Sequence, residues 1–367
     1  MTFGQAFVGT WRAILRSRTL LSTMLLSVAL YGFYYPAPYA HETAQRLPVI
    51  IVDQDNSALS RAMVRDLDAT RAVEIVAMAS DVAEARRRMR RGDADGVILV
   101  TQGLERQLRT GAPGAGIGVW VNATYLLRAS TIGEAITSVV EDLAAERLLP
   151  GGQSVRAGLP IKVTAEPLFN RTGGYKSYVF PAVAVIIVQQ TLLFGAATFM
   201  GGRRREGRWR MRPLEFVGSL AALASVGILN CLFLFGLIFW LQDVPTNENL
   251  PALLLAVPLF ATAVAALGLW IGSFFDCSER AMVILAPTSV PLFFLTGTAW
   301  PLGQMPRFVQ LLASLAPSTP GVHTFVPLNQ MGASITDVSG GMALLAMLAL
   351  IYGLAAGVRV IGGRSSR

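Results

Sequence analysis

The chain has 367 residues, 53% of them hydrophobic and 15% charged, with a mean hydropathy of +0.51. Soluble globular domains carry about 25% charged residues, so this composition excludes an ordinary soluble domain. A net charge of +8 invites a nucleic-acid reading. The arginines argue against it, because they flank apolar runs as orientation signals do and do not gather beside stacking aromatics.

The first apolar run, Thr19–Ala40, follows Arg12, Arg16 and Arg18. At about 22 residues it exceeds the 7–15 of a signal-peptide core, and it is read as an uncleaved anchor. Pro38 would also occupy the −3 position of a cut after Ala40, where a small residue is wanted.

Next comes a segment of ordinary polarity, 41–176, large enough for one compact domain. Its apolar runs predict strands at Leu47–Val52, Val73–Ala77, Asp95–Val100, Gly118–Val121 and Ile161–Thr164. Helices are predicted at Ser57–Ala69, Asp81–Arg91 and Leu126–Leu148. Such alternation implies an α/β layer structure inserted into a membrane protein.

Five more spans follow: 177–202, 216–242, 249–275, 281–300 and 338–358. Each reaches or exceeds the roughly 20 residues needed to cross a hydrocarbon core of about 30 Å. Between the second and third spans, residues 203–215 hold six arginines: Arg203, Arg204, Arg205, Arg208, Arg210 and Arg212. With Arg12, Arg16, Arg18, Arg280, Arg359, Arg364 and Arg367 they make thirteen basic residues on one side. The short segments of the other side, 243–248 and 301–337, have one, Arg307. This asymmetry places the arginine loop and both termini in the cytoplasm, and the segment 41–176 outside. Cys231 and Cys277 lie in a span and a short inner loop, so the outer segment has no disulfide framework.

Chemical motifs are sparse. Asp53 and Asp55, closing an apolar strand, resemble the nucleophile loop of haloacid-dehalogenase-type phosphatases. A lysine and a further acidic cluster are missing, and Asn56 or Ser57 capping a helix explains the same residues. The glycine-rich stretch Gly111–Gly118 precedes a strand, whereas a phosphate loop must open a helix. His41 and His323 stand apart, so no metal-ligand cluster forms. No Gly-Lys-[Ser/Thr] loop is present, and the spans lack acidic or basic residues. The chain is therefore expected to be no enzyme, and a pump built on it would draw energy from another subunit.

Several segments together resemble the permeases of the ABC-2 exporter family, in the branch with a large outer α/β domain. They are Val52–Arg61, Arg91–Val97, Phe169–Gly174, Thr296–Pro306, Pro317–Gly321 and Leu328–Ser334, in this order over nearly the whole chain. The resemblance implies a second copy of the permease or a homologous one, driven by two cytoplasmic ATP-binding subunits. ATP would be bound there and by no residue here. It also implies a drug-like or amphipathic cargo, a periplasmic membrane-fusion adaptor, and residence in a bacterial inner membrane. The coupling element would comprise Arg203, Arg204, Arg205, Glu206, Gly207 and Arg208. Relatives often carry Glu-x-Gly-Thr-x-Glu there, and this chain has Glu206-Gly207-Arg208-Trp209-Arg210. Trp300, Pro301, Met305 and Pro306, with the stretch Phe308–Leu315, resemble re-entrant helices at an outer gate. Prolines there expose backbone polar groups, which is tolerated only where protein or water covers them.

The rival reading is an envelope receptor or scaffold whose outer domain binds a ligand or partner. Short inner loops leave it no output domain, and six spans exceed what a tether needs. Gln189, Gln190 and Asn230 are the few polar guides inside the spans.

Overall fold

The computed structural model describes residues 1–39, 45–106, 116–121, 126–147, 175–246 and 249–361. The strand expected at 161–164, the motif at 169–174, His41, Arg364 and Arg367 lie outside these residues. Two compact units emerge: Met1–Ala40 with Pro167–Arg367, and His41–Glu166.

In the smaller unit, β1 (Leu47–Asp53) is followed by α3 (Ala58–Ala69), β2 (Val73–Met78), α4 (Val82–Arg91), β3 (Gly96–Val100), β4 (Ile117–Val121) and α5 (Leu126–Arg147). The sheet runs β2-β1-β3-β4, with β1 parallel to β2 and β3, and β4 antiparallel at the edge. Alternation sorts β1 to two faces. Val49 and Ile51 join Leu59, Met63 and Leu67 of α3 and Ile132, Ile136 and Val139 of α5. Ile50 and Val52 meet Ala85 of α4 with Val97. The sheet is thus covered on both faces, as the α/β reading requires.

The larger unit is helical. Among the described residues, five helices are long and apolar enough to cross a membrane, and a sixth span arises if one bent pair counts as one. That pair is α1 (Phe3–Arg16) and α2 (Arg18–Tyr34), which meet at 89°. The sequence reading took the residues before Thr19 as a mere flank, yet they form an amphipathic helix. Ala6, Thr10 and Ile14 are its buried stripe, while Arg12 and Arg16 are exposed. A helix with such a face, turned across the span it feeds, has the geometry of one lying along a membrane surface.

The later helices are α6 (Tyr175–Arg205), α7 (Pro213–Leu241), α8 (Leu250–Gly272), α9 (Ser278–Leu295), α10 (Arg307–Leu315), α11 (Ser318–Gln330) and α12 (Ser339–Val360). α6 is the most buried of the candidate spans and α9 the least. α8 packs tightly on α6: a Cβ added at Gly272 would lie 2.6 Å from Ala197 Cα and 2.7 Å from Ala197 O. Only small residues let two backbones come so close, the usual device where lipid offers no hydrophobic drive between helices. α2 and α7 each contain a π-helical stretch, Ser22–Leu26 and Leu232–Ile238. Beside them, Asn230 Nδ2 donates to Met24 O at 2.9 Å, giving one of the predicted polar guides a partner.

Two boundaries differ from the sequence reading. α6 continues through Arg203–Arg205, and α7 begins at Pro213, so the loop proper is only 206–212. Charge marks the loop poorly, because arginines at a helix C-terminus are favoured by the helix dipole. Within 301–337, expected to be an outer re-entrant segment, α10 covers the stretch 308–315 and a second helix, α11, follows it. α11 is largely buried, with Ser318, Val322, Phe325 and Leu328 among its inward residues.

Candidate functional site

The arginine loop is built as a helix stop followed by a restart. Gly207 has φ +69, its N–H donates to Arg204 O at 2.9 Å, and Arg208 N–H donates to Arg203 O at 2.8 Å. This pair of bonds is a Schellman motif with glycine at its left-handed position. Pro213 then opens α7 at its first position, with Glu215 in the first turn, where proline and an acidic residue are favoured.

The arginines divide into two sets. Arg203 Nη2 lies 2.6 Å from Glu215 Oε1, the two side chains being 15% and 13% exposed, and also donates to Arg208 O at 2.9 Å. Arg204 Nη1 donates to Ser273 O, and its Nε lies 3.5 Å from Asp276 Oδ1. Arg205 pairs with Glu279 at 3.4 Å on the surface. Arg359 of α12 stacks on Phe274 at 3.8 Å and reaches Ser273 O at 3.5 Å. These residues tie the ends of α6, α7, α8, α9 and α12 together. In contrast Glu206, Gly207, Arg208, Arg210 and Arg212 are exposed, and Trp209 stands between the guanidinium groups of Arg204 at 5.2 Å and Arg210 at 4.3 Å. Met211 anchors the loop through its N–H to Val360 O at 3.0 Å. A cavity of about 430 Å³ beside this junction is lined by Thr10, Thr198, Arg203, Glu215 and Ser278 among others.

Of the six residues expected to couple, Arg203 and Arg204 thus face inward as ties, Arg205 is a surface tie, and Glu206, Gly207 and Arg208 are presented outward. Sequence reading missed Ser273, Asp276 and Glu279. The signal was the acidic pair Asp276 and Glu279 in a short loop on the same side as the arginine run.

At the opposite end, a second cavity of about 350 Å³ lies between the start of α6, the turn Thr296–Thr298 and α11. Tyr178 Oη donates to Thr298 O at 2.7 Å across it. The four residues expected at a gate are not in its wall: Trp300 is 60% exposed, Pro301 and Pro306 are exposed, and Met305 is half-buried. Their segment packs on the turn that does line the cavity, since Leu302 Cγ would lie 2.9 Å from a Cβ at Gly297.

Asp53 and Asp55 of the smaller unit are both engaged in hydrogen bonds. Asp53 Oδ1 accepts from the N–H groups of Asp55 and Asn56, both at 3.0 Å, and Oδ2 accepts from Ser60 Oγ at 2.8 Å. Asp55 accepts from the N–H groups of Gly103, Leu104 and Glu105 at 2.6, 3.1 and 3.2 Å. Burial pushes the Asp55 carboxyl up, but hydrogen bonds from the Ser57 side chain and the Glu105, Gly103 and Leu104 amides outweigh it and leave it below the usual aspartate value. Ser57 caps α3 in a capping box with Ser60. This is turn and cap chemistry, and it leaves neither carboxylate free as a nucleophile. Among the described residues no cluster of His, Cys, Asp and Glu could hold a metal.

Comparison with known proteins agrees with a permease architecture. The chain is 22% identical over 362 residues to the linearmycin resistance permease protein LnrN of Bacillus subtilis (strain 168), covering 86% of this chain and 88% of that protein. Residues 17–358 match the family described as ABC-2 family transporter protein. The chain therefore belongs to the ABC-2 transporter family, as a membrane-spanning permease whose family implies a separate ATP-binding subunit.

Proposed function

We propose that this chain moves a drug-like or amphipathic cargo outward across a bacterial inner membrane, using ATP hydrolysed by a cytoplasmic partner. The arginine-rich end faces the cytoplasm, following the bias of Arg and Lys to that side. The exposed run Glu206–Arg212 is the surface pressed on the ATP-binding subunit. A second permease, identical or homologous, completes the membrane pore, and the smaller unit is available to a periplasmic adaptor.

The observation that carries this reading is the division of the arginines. A loop meant only to orient the chain needs positive charge and no particular structure. Here Arg203 and Arg204 bind the loop's base to the start of α7 and the end of α8, while Arg208 and Arg210 are exposed at its tip. A rigidly based, exposed tip is what a push from a partner requires. The resistance-permease name of the Bacillus relative supports a drug-like cargo.

Co-purification of tagged permease in mild detergent, followed by native mass spectrometry, tests the proposal. Two permease chains with two ATP-binding subunits are expected, and Arg208→Glu with Arg210→Glu should release the ATP-binding subunits while the permease stays folded. Recovery of the permease alone, under conditions that preserve known transporter complexes, overturns it.

A further inference from the structure

We propose that α1 is a seat for anionic phospholipid of the cytoplasmic leaflet. Val8 and Leu15 enter the acyl layer, Arg12, Arg16 and Arg18 hold the lipid phosphates, and the contact sets the packing of the arginine junction. The side of the membrane and the effect on ATP hydrolysis rest on the exporter reading above; the seat rests on α1 itself.

α1 has three sides. At 3.6 residues per turn Ala6, Thr10 and Ile14 share one stripe, Gly4, Val8, Trp11 and Leu15 the next, and Gln5, Arg12 and Arg16 the third. The first stripe is buried against the protein. A surface helix of a water-soluble domain needs only that one apolar face and is polar over the remainder. Here the second stripe is apolar and open, with Val8 44% and Leu15 55% exposed. Arg12 and Arg16 are exposed on the third. Because α1 meets α2 at 89°, α1 lies along the bilayer surface when α2 enters the bilayer. An open apolar stripe beside a basic one then dips among acyl chains while its neighbour stays with the headgroups.

Charge selects the kind of lipid. Residues 1–41 contain three arginines and no Asp or Glu. Among the described residues no carboxylate pairs with Arg12, Arg16 or Arg18. The helix dipole favours Arg16 in the last turn of α1, but it disfavours Arg18 as the first residue of α2. An external anion at the corner accounts for both. Each basic residue beside an anionic leaflet strengthens the attraction by a factor of about five.

The buried stripe carries the contact inward. Thr10 Oγ1 donates to Ser219 Oγ at 3.1 Å and Trp11 Nε1 to Ser225 Oγ at 3.0 Å, both on α7. A Cβ at Gly218 of α7 would lie 2.6 Å from Phe3 O and 2.8 Å from Ala6 Cβ, so the two helices meet closely. One turn before Ser219, Glu215 holds Arg203. Gly9, Thr10 and Ala13 also wall the 430 Å³ cavity together with Arg203 and Glu215. How deeply α1 sits therefore bears on the junction from which the loop projects.

The test places the permease with its ATP-binding subunit in nanodiscs of phosphatidylcholine, alone or mixed with phosphatidylglycerol. On a Cys231→Ala, Cys277→Ser background, a nitroxide on Leu15→Cys should collide with oxygen and not with a water-soluble nickel chelate. A nitroxide on Arg12→Cys should show the reverse. Nickel access at Leu15→Cys overturns the seat. Exclusion of both reagents there marks a protein covering α1 and overturns it as well. ATP hydrolysis should rise several-fold with phosphatidylglycerol in wild type and in Arg12→Lys with Arg16→Lys, and the rise should vanish in Arg12→Gln with Arg16→Gln or at high salt. No rise in wild type, or an equal rise in the glutamine variant, overturns the effect on the junction. Glycerol phosphate added to phosphatidylcholine nanodiscs should not activate; activation by it replaces the lipid seat with a free-phosphate site. A permease that forms no ATP-hydrolysing complex overturns the exporter reading, and the nitroxide measurements on the permease alone still decide the seat.

Discussion

Glu215→Ala is the sharpest probe of the loop's base. The Arg203–Glu215 contact is 2.6 Å and mostly shielded, with exposures of 15% and 13%. Two unit charges about 4 Å apart at an effective dielectric of about 20 attract by about 4 kcal/mol. Removing one partner of a buried pair costs about 3–5 kcal/mol, because the other charge is stranded. Residual solvent access and the bond from Arg203 to Arg208 O place this site at the lower end, about 2–3 kcal/mol. For a unit of this size each kcal/mol moves Tm by about 2–4 °C, so a fall of about 4–12 °C is expected. Thermal unfolding in detergent measures it, beside ATP hydrolysis of the assembled transporter. The double variant Arg203→Ala with Glu215→Ala should recover part of the loss, since it strands no charge. In contrast, Arg208→Ala with Arg210→Ala should leave Tm within about 1 °C, as surface changes usually do, and lower ATP hydrolysis. Unchanged Tm in Glu215→Ala, or a large fall in the tip variant, would refute the division into ties and contacts.

Other expectations are more local. Asp55→Ala removes the acceptor of three amides and should lower the local stability of 103–105 by about 2–3 kcal/mol, read as faster amide hydrogen exchange in the full chain. Because hydrogen bonding lowers the folded Asp55 pKa, its contribution is complete above the unfolded value of about 3.9 and fades as pH falls through the folded one. The difference between wild type and Asp55→Ala should therefore shrink in strong acid and stay constant between pH 5 and 8. Gly272→Ala should cost about 1–3 kcal/mol by forcing α8 from α6, whereas Gly353→Ala, with nothing within 4 Å, should be neutral or slightly stabilising in thermal melts. Trp300→Ala should leave Tm unchanged and reduce cargo export; if export is also unchanged, the segment 300–306 has no part in a gate.

Much of this was legible in the residues. Uncharged runs longer than a bilayer is thick leave little choice but helices, so five later spans fall within a few residues of expectation. Strands β1 to β4 were readable because apolar runs between turn residues have few alternatives, and Ser57 was readable as a cap for the same reason. What escaped was whatever depends on pairing distant segments. Nothing in Arg203 and Arg208 as residue types says that one meets Glu215 and the other solvent. α1 was hidden because its arginines read as a flank, although Ala6, Thr10 and Ile14 mark a helical stripe. The segment 301–337 was readable as re-entrant, but its sequence did not mark the helix 318–330 as buried. Only the fold reveals that Pro317 and Pro320 sit at the start of a buried helix, where proline needs no amide partner.

The two candidate regions share one element. α6 carries Arg203 at one end and Tyr178, beside the second cavity, 25 residues earlier, about 38 Å away at 1.5 Å per residue, within a single helix. A push on the loop is therefore passed along α6 as rigid-body tilt, without any chain of side-chain rearrangements. α8 must tilt with it, because Gly272 packs on the Ala197 backbone and Arg204 holds Ser273 O at the same end. α11 is held to the start of α8, where Asn249 N–H donates to Leu328 O, and at its own start by Thr319 Oγ1 donating to Leu295 O. The end of α11 is fastened to the start of α8, so a tilt that carries α8 carries that end of α11 as well.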